Sequence, residues 1–213
     1  MFELRREKSV QEGGKGLDGG GLAVGALHRL NPVLLRQGSD EVECITVEVT
    51  TGVTRLRCVV GYGPQLSDSP ARKEMFWDYL DVEVNSAKDE GVGLIIEIDS
   101  NAWAGNSIIP RDPNIQNSNG KLLEKFLERN KNITLVNSLP LCEGLITRKR
   151  ITNCLNEQSV LDLFIVCEKV LPHVVKMHVD EKGEHQLTHF YGIKRTGKVT
   201  ESDHAKVEIE LNI

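Results

Sequence analysis

The 213-residue sequence has no apolar run approaching the roughly 18 residues that a membrane-spanning helix needs. Its opening, MFELRREKSVQEGG, also lacks the apolar middle of a secretory leader. These two absences lead us to expect an intracellular protein with no membrane partner. Basic charge is not in excess either, since the formal net charge is −5. A broad basic face that coats nucleic acid is therefore excluded, while a small footprint on a phosphate backbone is not. Five cysteines, at positions 44, 58, 142, 154 and 167, form an odd set without a CxxC pair. Such usage points to free thiols in a reducing compartment, not to a disulfide framework. No internal repeat is visible. With 39% hydrophobic and 27% charged residues, the chain has the composition of a globular domain with one sizeable core.

Residues 1–21 are charged and glycine-rich and end in Gly19-Gly20-Gly21, which reads as a flexible lead-in to a single domain over 22–213. Leu22–Leu27 has the character of a short strand. Glu43–Val49 alternates apolar and polar residues as a half-buried strand does, Thr51-Gly52-Val53-Thr54 reads as a hairpin turn, and Arg55–Tyr62 returns. Tyr62-Gly63-Pro64 stops that strand, because proline cannot donate to a ladder. The period then becomes helical. Ser69-Pro70 supplies a cap and a preset first turn, followed at helical spacing by Met75, Phe76, Tyr79, Leu80, Val84 and Ala87. Leu94–Ile98 is a continuous apolar strand. A second helix follows Asn119-Gly120, and strands are expected over Ile133–Asn137, Val160–Val166 and Lys206–Leu211. Loosely alternating strands and helices indicate an α/β or α+β class.

Polar residues suited to phosphate chemistry gather at the strand ends. Tyr62 ends one strand, and Asp99 and Asn101 follow another. Ser159 and Asp162 flank the start of a third, and Ser202-Asp203-His204 leads into the last. Taken singly, Asp and Asn after a strand are common turn residues, a lone histidine is often structural, and a strand-end tyrosine often only covers a core. Their order along the chain and shared placement give them weight together.

These pieces resemble the endonuclease/exonuclease/phosphatase superfamily, and within it the endonuclease domains of non-LTR retrotransposons. The resemblance is carried by Gly20-Gly21-Leu22-Ala23-Val24, Tyr62-Gly63-Pro64, Asp99-Ser100-Asn101-Ala102, Ser159-Val160-Leu161-Asp162-Leu163-Phe164 and Ser202-Asp203-His204, in family order. It implies a four-layered α/β sandwich, with two mixed β-sheets flanked by helices and an active site at one sheet edge. It also implies divalent-metal-dependent phosphodiester cleavage, with Mg²⁺ (or Mn²⁺) as cofactor and DNA as partner, and a nuclear location if the chain is a retroelement protein. By resemblance, Asp99 activates the attacking water and Asn101 contacts the phosphate. His204 donates to a phosphate oxygen while Asp162 holds it, Asp203 belongs to the metal environment, and Tyr62 reaches the phosphate through its hydroxyl.

The sequence also departs from the family pattern. An asparagine and a metal-ligating glutamate precede the glycine-rich segment in the family. Here Gln11-Glu12 lies only seven residues before Gly19 and is not assigned that role. The chain is therefore expected to lack the first one or two strands, leaving an exposed sheet edge and a weakened metal site. Glu97-Ile98 stands where the family usually has a glycine before the aspartate, so a mildly reshaped pocket is expected. His173, His178, His185 and His189 could form a zinc site, but they read better as surface histidines beside hairpin residues. Arg148, Arg150 and Ser202 are candidate phosphate or nucleic-acid contacts, the alternative for the arginines being solvated loop charge. Three functions remain open: a DNA-nicking endonuclease, an inactive descendant serving as a binding or scaffold module, and a small-molecule phosphatase.

Overall fold

The computed structural model describes residues 2–5, 21–39, 41–152, 155–182 and 203–213. Two strands, β1 (Phe2–Arg5) and β2 (Gly21–Val24), pair antiparallel across the stretch expected as a lead-in. After β3 (Val33–Gln37) come the long hairpin strands β4 (Glu43–Thr51) and β5 (Thr54–Tyr62). Helix α1 (Pro70–Glu90) starts as its sequence indicates, because the Ser69 side chain accepts a hydrogen bond from the Arg72 N–H at 3.2 Å. Strand β6 (Gly93–Asp99) and helix α2 (Ser118–Arg129) follow; Asn117 caps α2, so Asn119 and Gly120, expected ahead of the helix, lie in its first turn. The remaining strands are β7 (Ile133–Leu135), β8 (Cys142–Glu143), β9 (Arg148–Thr152), β10 (Leu155–Ser159), β11 (Asp162–Cys167), β12 (Val174–Val179) and β13 (Val207–Leu211).

The fold is an α/β sandwich built on two mixed sheets. Six strands run in the order β3-β4-β5-β6-β11-β7, with β5 and β6 parallel and the other neighbours antiparallel. A second sheet, β13-β12-β8, is likewise mixed, and β9 and β10 form a separate hairpin. One face of the large sheet carries Leu94, Ile96 and Ile98 from β6 and Leu163 and Ile165 from β11, all buried. Against this face lie the two helices, whose Phe76, Trp77, Leu80 and Phe126 are also buried. The Trp77 ring lies 5.3 Å from Phe76 and 5.4 Å from Phe126, centroid to centroid.

The small sheet contributes Met177 and Val179 to the same core. Its other face presents Lys176, His178, Glu208 and Glu210, an alternation suited to a sheet with one wet side. Among the described residues no helix covers that side, so three of the four sandwich layers are in view. No described helix is long and apolar enough to cross a membrane.

Strand β6 is apolar and buried along its helix-facing side. On its other side Gly93 and Ile95 are buried, while Glu97 is exposed and Asp99 partly buried. Ile98 faces the helices and does not reshape the opposite face. Its room comes from its partner on β5, Gly61, where an added Cβ would lie 3.0 Å from Ile98 Cγ2.

Candidate active site

Register brings the first three site residues together. Tyr62 pairs with Asp99 across β5 and β6, and Asp162 pairs with Asp99 across β11 and β6. Residues directly opposite one another share a sheet face, so the three side chains form a row at one end of the large sheet. His204 arrives from the segment just before β13. That segment is laced to the start of β9: Lys149 N donates to Asp203 O at 2.8 Å, and Ala205 N donates to Thr147 O at 2.7 Å. Thr147 extends the lacing to β11, since its Oγ1 accepts from the N–H groups of Leu161 and Asp162 at 2.8 and 3.0 Å.

The result is a compact trio. His204 Nδ1 lies 2.9 and 3.2 Å from the two oxygens of Asp162, and His204 Nε2 lies 3.9 Å from Asp99 Oδ2. An ionised carboxylate can only accept, so Nδ1 carries the proton shared with Asp162 and Nε2 is turned towards Asp99. Burial works against the His204 cation. The hydrogen bond and charge of Asp162, with the charges of Asp99 and Asp203, outweigh it and raise the imidazole above its ordinary pKa. Asp99 is raised from 3.8 to about 6, first by burial and then by repulsion from Asp162, against the pull of His204, the Asn101 N–H and Arg148.

Asn101 occupies the left-handed region at φ +47°, which asparagine tolerates better than most residues. Its backbone N–H donates to Asp99 Oδ1 at 3.1 Å, and its side-chain amide donates to Gly63 O at 2.8 Å. The second amide hydrogen is left for a ligand. Gly63 is required here: its N–H donates to Asp99 O at 2.6 Å, and an added Cβ would sit 2.6 Å from Ser100 O. The Tyr62-Gly63-Pro64 turn thus lies tightly against the Asp99 loop.

Two asparagines that the sequence did not single out hold this frame. Buried Asn119 donates to Pro64 O at 2.7 Å and to Asn101 O at 3.1 Å, joining both loops. Buried Asn137 donates to Asp162 O at 3.0 Å and accepts from Phe164 N at 2.9 Å, fixing the start of β11. The Tyr62 hydroxyl accepts from Gln65 Nε2 at 3.4 Å.

A cleft of about 590 Å³ opens over Asp99 and His204, with Tyr62, Asn101, Trp103, Arg148 and Asp203 also lining it, while Asp162 stands behind His204 and off its wall. Asp203 is engaged by Arg148, whose Nε donates to Asp203 Oδ2 at 2.8 Å, and it stands outside the trio. Ser202 and the side chain of Arg150 lie outside the described residues, as do Gln11, Glu12, His185 and His189. His173 is turned to Asn212 O at 2.9 Å, and His178 lies on the wet face of the small sheet.

Among the described residues, Asp99, Asp162 and His204 are a group able to hold a metal ion, with one ligand atom from each lying within 4.8 Å of the others. Asp162 and His204 already bond to each other. The set therefore fits a hard cation held mainly by Asp99.

No protein-family model matches the sequence, and no curated protein matches it. Solved structures do. The endonuclease domain of TRAS1, a telomere-specific non-LTR retrotransposon, matches with a TM-score of 0.60 and 18% identity, over 87% of this chain and 70% of that one. The 3'-5' exonuclease NExo from Neisseria meningitidis gives 0.53 and 16%, over 79% of this chain and 65% of that one. A mannosyl-6-phosphatase from Bacteroides thetaiotaomicron gives 0.51 and 13%, over 80% and 57%. The chain has the endonuclease/exonuclease/phosphatase fold. At these identities the likeness is one of fold, and a fold by itself does not fix a function.

Proposed function

We propose that this chain is a divalent-metal-dependent phosphodiesterase that nicks DNA, as the endonuclease domain of a retroelement does. The observation that carries the reading is the trio Asp99, Asp162 and His204, with Asp99 and His204 on the wall of an open cleft. Cleavage requires water to attack phosphorus, negative charge to be relieved on the phosphate oxygens, and the P–O bond to the leaving oxygen to break. Asp99 orients the water and takes its proton. His204, held by Asp162 and kept cationic, donates from Nε2 to a phosphate oxygen. Asn101 offers its remaining amide hydrogen to the phosphate, and Tyr62 its hydroxyl. Asp99 would hold Mg²⁺, which would supply charge relief at the phosphate. Arg148 positions the neighbouring backbone phosphate and shares Asp203 with the metal's surroundings.

Nicking of supercoiled plasmid in Mg²⁺ or Mn²⁺ tests this directly. Conversion to open circles is expected, and His204→Ala should reduce it by about 100-fold or more. Cleavage by the variant at the parent rate would refute the assignment. Turnover of a sugar phosphate without any nicking would favour the phosphatase reading.

A further inference from the structure

We infer that Trp103 is a stacking platform for a nucleobase whose face is not covered by duplex neighbours, next to the phosphate that the trio engages. This deepens the proposed function and rests on the cleft being a phosphodiester site. Trp103 is 39% exposed and lines the cleft, whereas the other tryptophan, Trp77, is 2% exposed in the core.

The exposure is built in. Ala102 and Ala104 on either side are fully buried, and Trp103 O accepts from Asn117 N at 3.2 Å. Helix α2 approaches so closely that a Cβ on Gly120 would lie 2.0 Å from that oxygen. Asn119 ties the preceding carbonyl of Asn101, so the backbone is pinned on both sides and the indole is the part left facing outwards.

Placement supplies the ligand's chemistry. Trp103 lies four positions beyond Asp99, which limits their Cα atoms to about 14 Å. A base attached one sugar away from the engaged phosphate falls within that range. Leu66, 51% exposed, adds a second apolar surface in the same cleft. Asn117 uses Oδ1 on the helix cap, accepting from Gly120 N at 2.8 Å, which steadies the backbone that its own N–H ties to Trp103 O. An internal base of a duplex has both faces stacked, so the platform selects a strand with a nucleotide that is single-stranded, displaced or terminal. A hexose would bring a ring of hydroxyl groups to a wall made of an indole and a leucine, and is less well served there.

Fluorescence separates these ligands without turnover. In EDTA, the single strand (dT)8 is expected to quench the parent protein saturably. The same strand with abasic residues, relaxed covalently closed duplex circles and mannose 6-phosphate should each quench little. Trp103→Phe, whose remaining indole is the buried Trp77, should lose the quench. Trp103→Ala should weaken (dT)8 binding, measured by anisotropy of a labelled strand, by about 5- to 150-fold, and Trp103→Phe should recover most of it. In cleavage assays with Mg²⁺, the Ala variant should raise KM far more than it lowers kcat.

Equal quenching by the abasic strand, equal binding by Trp103→Ala, or quenching by mannose 6-phosphate in place of (dT)8 would overturn the inference. Base-dependent quenching without any cleavage would leave the platform standing and remove the nuclease reading. Plasmid nicking without base-dependent quenching would do the reverse.

Discussion

Asp99 is expected to be held in the fold at a cost in stability, and Asp99→Asn should expose that cost. Its pKa rises from 3.8 to about 6 on folding, chiefly through burial and then through Asp162. At about 1.36 kcal/mol per tenfold change in proton affinity, the ionised side chain destabilises the metal-free protein by about 3 kcal/mol. The sign follows from the direction of the shift. Below pH 4 the carboxyl is protonated in both folded and unfolded chains and has no net effect. Between pH 4 and 6 the unfolded chain ionises first, so stability falls as pH rises, and above pH 6 the full penalty applies. Asparagine keeps the shape and the acceptor for the Asn101 N–H without the charge. Thermal unfolding in EDTA at pH 7 should therefore place the midpoint of Asp99→Asn about 6–12 °C above that of the parent. The gap should close as the pH is lowered towards 4. Millimolar Mg²⁺ should raise the parent's midpoint and leave the variant's nearly unchanged, while the variant loses cleavage. A variant no more stable than the parent at pH 7, or a gap that does not shrink in acid, would refute the reasoning.

Cleavage that needs cationic His204 should decline as pH rises through its raised pKa. Asp162→Asn removes the carboxylate that outweighs burial there, so the alkaline limb of a pH–rate profile should move to lower pH. Asn137→Ala deletes the bond donated to Asp162 O and the one accepted from Phe164 N in a buried setting, and urea unfolding should show a loss of about 1–3 kcal/mol. Gly63→Ala forces a methyl group to within 2.6 Å of Ser100 O, so the two loops must part, and plasmid nicking should fall with a destabilisation of about 1–3 kcal/mol.

Local patterns made much of this architecture legible. The strand over Glu43–Val49, the turn at Thr51–Thr54 and the cap at Ser69-Pro70 form as expected, but the strand is buried on both faces and not half-buried, because Cys44 and Thr46 are covered as fully as Ile45 and Val47. The strand-end residues Tyr62, Asp99, Asp162 and His204 meet because β5, β6 and β11 are neighbours in the sheet, a relation that the order of the motifs conveyed and periodicity could not. Other features needed coordinates. Val33–Gln37 is a short edge strand with every residue exposed, so burial leaves no alternation to read. The strands Arg148–Thr152 and Leu155–Ser159 are mostly polar and give a weak signal. Asn119 and Asn137 look like turn or cap residues, because an asparagine's buried partners depend on which loop folds over it. For Ile98, the face it occupies decides its effect, and spacing to the aspartate alone did not reveal that face.

The row Tyr62–Asp99–Asp162 carries a particular fragility. Side chains on a strand alternate between faces, so losing or gaining a single codon between Leu94 and Ile98 would swap the sides of everything beyond it. The carboxylate would be driven against Phe76 and its helix, and an isoleucine would look into the cleft. In a mutational survey of β6, one-residue deletions should thus be far more harmful than conservative aliphatic exchanges at the same positions.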